Sequence, residues 1–80
     1  MNKITVEQIK AARMLLSWDQ ITLANKASVG IVTIKRIEAV PGRATATQRI
    51  IEKIVKALEA AGIEFIGTPD DGPGVRLYRK

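Results

Sequence analysis

Eighty residues make one small domain, 46% hydrophobic but only 4% aromatic, so its core is aliphatic and marginal without a partner. With no cysteine and no histidine it lacks disulfides, thiol nucleophiles, imidazole bases and the usual zinc ligands, so no enzyme activity, metal or cofactor is expected. Thirteen Lys and Arg against eight Asp and Glu leave a net charge of +5, which fits nucleic acid or an anionic surface as partner.

Met1-Asn2-Lys3-Ile4 opens onto no signal-like apolar run, and no stretch approaches a membrane span, so a cytoplasmic protein without membrane contact is expected. Thr5 and Gln8 have capping-box spacing, and Ile4 with Ile9 would form the accompanying staple. Ile9, Ala12, Leu15 and Leu16 then predict an apolar helical face from Val6 to about Leu16. Asp19 is a good N-cap for a short second helix from Gln20 to Lys26 or Ala27, with Ile21, Leu23 and Ala24 as its apolar contacts. After a turn over Ala27 to Gly30, a third helix begins near Ile31 and reaches Ile37 or Glu38, with Ile34 and Ile37 inward. Val40-Pro41-Gly42 stops it.

A long fourth helix follows a cap at Thr45 or Thr47, its stripe made by Ile50, Ile51, Ile54, Val55 and Leu58, and Gly62 ends it. Ile63 to Ile66 and Val75 to Tyr78 read as strands around a loop from Gly67 to Gly74, an antiparallel hairpin that must pack on the helices or pair with a second chain. Arg76, Arg79 and Lys80 read as solvated strand and tail, and Asp70 and Asp71 as turn residues.

The segment from Arg13 to Glu38 is the specific part. Its entry (Trp18, Gln20, Leu23, Ala24), its turn (Ala27, Val29) and its exit (Thr33, Ile34, Ile37, Glu38) resemble the Cro/repressor (Xre) family of helix-turn-helix regulators. The resemblance covers residues 4 to 66, and Ala57 to Phe65 is similar to a common ending in small bacterial members. It implies a mainly α fold: a lambda-repressor-like four-helix domain over residues 1–62, with a C-terminal β-hairpin or strand pair over 63–80. It also implies a sequence-specific double-stranded DNA-binding regulator, a repressor or autoregulator of bacterial or phage-like type.

By the same resemblance, Ile31, Val32, Lys35 and Arg36 face bases, Gln20, Thr33 and Arg43 face phosphates, and Arg13 with Glu38 forms a structural ion pair. Physical chemistry supports these roles: Arg and Lys donate to guanine, and aliphatic side chains suit thymine methyls. Two departures from the family pattern stand out: Ser28 where it prefers Gly, and Gly30 at the N-cap where Ser or Thr is usual.

Ile31 and Val32 replace residues that are usually polar. They read thymine methyls, mark a protein-binding face, or one of them turns inward; all three readings stay open. One recognition helix reads too few base pairs to be selective, so a homodimer is expected. Ile63, Phe65, Val75 and Leu77 of the tail are assigned to dimerisation, with Ile50 and Ile54 of the fourth helix as the competing interface. The alternative function is a protein-binding antitoxin or anti-regulator that keeps the fold.

Overall fold

The computed structural model describes residues 4–78; Met1 to Lys3, read above as opening onto no signal-like run, and Arg79 and Lys80, read as solvated tail, lie outside the described residues. Four helices and a two-stranded antiparallel sheet follow in order: α1 (Val6–Leu16), α2 (Gln20–Ala27), α3 (Ile31–Glu38), α4 (Gln48–Ala60), β1 (Ile63–Thr68) and β2 (Asp71–Leu77). Caps explain the boundaries. Thr5 and Gln8 form the complete capping box of α1, while Asp19 and Thr47 accept N–H bonds from Thr22 and Ile50 at the starts of α2 and α4. Thr47 therefore caps the last helix, and Thr45 does not.

The core joins all elements. Ile9 and Ala12 of α1, Leu23 and Ala24 of α2, Ile34 and Ile37 of α3, Ile51, Ile54 and Leu58 of α4, and Ile63 of β1 are all buried. Two expected core residues are outside it: Leu15 is 40% exposed and Ile21 60%. Helical geometry gives the reason. Leu16 lies about 20° around α1 from Ile9 whereas Leu15 lies about 120° away, and Ile21 sits about 160° around α2 from Leu23. Ile54 is fully buried within the chain, so it cannot serve the interface considered for α4. Among the described residues, no helix is long and apolar enough to cross a membrane.

The tail pairs within the chain, with Ile63 opposite Leu77, Phe65 opposite Val75 and Ile66 opposite Gly74. The strands run well into the expected loop, leaving Pro69 and Asp70 between the last pair, Thr68 and Asp71. Glycine makes this possible. Gly67 sits at the register shift with φ of 73°, and a Cβ there would meet the Asp71 carbonyl oxygen at 2.7 Å.

Ile63, Phe65, Val75 and Leu77, expected between chains, pack against their own chain's core, and Ile63 is only 4% exposed. Ile63 therefore offers nothing to a second chain. A chain of this size buries only about 60% of its unfolded surface, so the apolar face of its own hairpin adds burial that the helices alone lack. On the opposite face Arg76 approaches Glu64 at 3.5 Å, and the Tyr78 hydroxyl donates to Glu64 at 2.9 Å.

Gln8 fastens the hairpin to the helices. Its Oε1 accepts from the Thr5 N–H at 2.8 Å, and its Nε2 donates to the carbonyls of Ile66 at 3.1 Å and Gly74 at 2.8 Å. The loop after α3 is held as well: Val6 and Ala44 donate backbone bonds to Gly42 and Ile4, and the Gly42 N–H donates to the Glu7 carboxylate at 3.1 Å.

Candidate nucleic-acid interface

The geometry of α2 and α3 is set by small and aliphatic residues between them. Ala24 is 4% exposed, Val29 8% and Ile34 1%, and the Val29 N–H closes the turn on the Ala24 carbonyl at 2.9 Å. Asp19 holds the start of α2 through the Thr22 N–H at 2.7 Å, a bond that lowers its carboxyl below the usual carboxylate value. The turn needs a left-handed residue, and Ser28 supplies it with φ of 55°. A Cβ in this conformation is strained. Ser28→Gly is therefore expected to stabilise the fold by about 1 kcal/mol, read as a higher urea midpoint at unchanged slope. Gly30 caps α3 with ordinary extended backbone and contributes no side-chain bond.

An ion-pair cluster fixes the far end of α3. Arg13 binds Glu38 with two parallel bonds, Nε to Oε2 at 2.8 Å and Nη2 to Oε1 at 2.7 Å, and its Nη1 donates to the Trp18 carbonyl at 3.0 Å. Glu38 is buried, so the pair ties α1, the turn after it and α3 together. Gln20 joins them, its Nε2 donating to Glu38 Oε1 at 3.1 Å. The side chain expected on a phosphate thus turns inward to buttress the pair.

What α3 shows outward is a stripe. Val32, Lys35 and Arg36 are exposed at i, i+3 and i+4, while Ile34, Ile37 and Glu38 face the core. Ile31 and Thr33 lie half-buried at its margins, and Ile31 packs on the core. Arg43 is on the loop after α3, exposed and paired with Asp70 of the hairpin turn at 3.0 Å. The structure thus gathers Val32, Lys35 and Arg36 on one surface, draws Ile31 partly inward, and gives Gln20 and Arg43 protein partners.

Residues 20–50 hold five cations, Lys26, Lys35, Arg36, Arg43 and Arg49, against a single carboxylate, Glu38, which is buried under Arg13. Arg49 was not anticipated. The signal was its place: it lies exposed in the first turn of α4, where a cation opposes the helix dipole. The first turn of α3 also lacks an acidic residue and its Gly30 cap adds no side-chain bond, which leaves that positive end open to anions, whereas the Asp19 carboxylate caps α2. Neither a protein-family model nor a curated protein sequence matches the chain.

Proposed function

We propose that this chain is a sequence-specific double-stranded DNA-binding regulator of the Cro/repressor kind, with α2 and α3 as its helix-turn-helix and α3 in the major groove. The observation that carries the reading is the one-signed charge of residues 20–50: five cations, and one carboxylate that is buried and already paired. A polyanion meets net attraction over that stretch: the exposed carboxylates beside it are Asp19, which caps α2, and Asp70, which pairs with Arg43.

Dimensions agree. An α-helix with its side chains is about 10–12 Å across, close to the width of the major groove, and the eight residues of α3 run about 12 Å along it. Lys35 and Arg36 bring donors suited to guanine edges, and Arg49 suits a phosphate, as does Arg43 once it exchanges exposed Asp70 for one. The same length covers only three or four base pairs, roughly, so selectivity calls for two copies on a two-fold symmetric operator.

Arg36→Ala is expected to cost about 1–3 kcal/mol at the best site and to relax one position of it, read by equilibrium titration against a set of single-base variants. A uniform loss over all sequences would make Arg36 a phosphate anchor instead. The second reading, a protein-binding antitoxin or anti-regulator, is favoured by Met14, Ile21 and Val32, which are 76%, 60% and 64% exposed. It expects DNA affinity that ignores sequence beside tight capture of one protein.

A further inference from the structure

Val32 is the anomaly of the α3 surface. It is 64% exposed on a helix whose other aliphatic residues are held by the core, Ile34 at 1%, Ile37 at 2% and Ile31 half-buried. It points about 160° away from Ile34, and its neighbours on the exposed stripe are Lys35 and Arg36. Those cations leave no contiguous apolar patch on α3 for a protein partner to cover.

The outward chemistry of α3 is also narrow. It has no Asn or Gln to pair with adenine, and its single carboxylate, which would accept from cytosine, is buried. What remains fully outward is two cationic donors and one aliphatic group, with Thr33 half-buried at the margin. In the major groove these match guanine O6 and N7, and the 5-methyl group of a pyrimidine.

Resting on the DNA-binding reading above, we infer that Val32 reads a pyrimidine 5-methyl group. The ligand is then duplex DNA whose half-site carries a thymine close to a guanine taken by Lys35 or Arg36. Side chains one helical turn apart are separated by about 5.4 Å along the axis, which places the two bases within about two steps of each other. Val32 touches only the methyl, so 5-methylcytosine serves in place of thymine and unmethylated cytosine does not. Ile31, half-buried against the core, is not itself the reader.

The test uses the full chain and the duplex it binds best from a random-sequence pool. Each thymine is replaced in turn by deoxyuridine, and binding is measured for the wild type and Val32→Ala. One thymine per half-site should lose about fourfold in wild-type affinity when its methyl is removed, the worth of one buried carbon. The same change should cost Val32→Ala almost nothing, and 5-methylcytosine there should bind better than cytosine only for the wild type. Because Val32 is exposed, the variant should keep the wild-type melting temperature. Equal uracil sensitivity in both proteins, or none at any position, would overturn the methyl assignment while leaving sequence-specific binding intact. A pool that yields no preferred duplex would overturn the DNA-reading function itself, and the assignment with it.

Discussion

Arg13→Met is expected to destabilise the protein by about 3 kcal/mol, a large share of what a domain of this length possesses. The variant leaves the Glu38 carboxyl without its guanidinium in a site where its side chain is only 2% exposed, with the half-buried Gln20 amide as its remaining side-chain partner. It also frees the Trp18 carbonyl from its guanidinium donor. The cost comes from the stranded carboxyl rather than from loss of attraction. Arg13→Met with Glu38→Leu should therefore be less destabilised than Arg13→Met alone, in chemical denaturation at neutral pH. A double variant worse than the single one would contradict this account of the cluster. Because the cluster anchors the end of α3, the single variant should also weaken DNA binding although it removes no outward-facing group.

Gln8→Leu should cost about 2–4 kcal/mol and loosen the hairpin before the helices. Leucine fills a similar volume, but the Thr5 N–H and the carbonyls of Ile66 and Gly74 all lose their side-chain partner at once. Hydrogen exchange is the direct readout: amides between Ile63 and Leu77 should lose protection first, while those of α2 and α4 follow global unfolding. Unchanged protection in the hairpin would show that its apolar face, not Gln8, fastens it.

The helices were legible because each carries its own punctuation. Thr5, Asp19 and Gly62 mark boundaries through local chemistry, and the stripe from Ile50 to Leu58 repeats often enough to declare a face. Leu15 and Ile21 were misplaced because hydrophobicity alone does not state on which side of the stripe a residue falls; their angular positions do.

The hairpin was harder. Gly67, Pro69, Gly72, Pro73 and Gly74 have the composition of a loop, yet glycine tolerates the bulge conformation that lets pairing continue to Thr68 and Asp71. The role of Gln8 was hidden for another reason: its capping-box spacing already accounted for it locally, and the carbonyls it reaches lie 58 and 66 residues away. The same holds for Arg43 with Asp70, a pair across 27 residues. At the proposed interface, the charge of Lys35 and Arg36 was readable from sequence. The division of Ile31 from Val32 was not, because it depends on how α3 is rotated against the core.

The proposed function stands or falls on α3 reading duplex DNA. The most direct measurement is selection of bound fragments from a genomic pool by the purified full chain, at near-physiological salt. Enrichment of a two-fold symmetric site, with half-sites about 34 Å apart on one face of the duplex, is the predicted result. Recovery of unrelated fragments, with binding that vanishes as salt rises, would contradict it and leave only phosphate attraction.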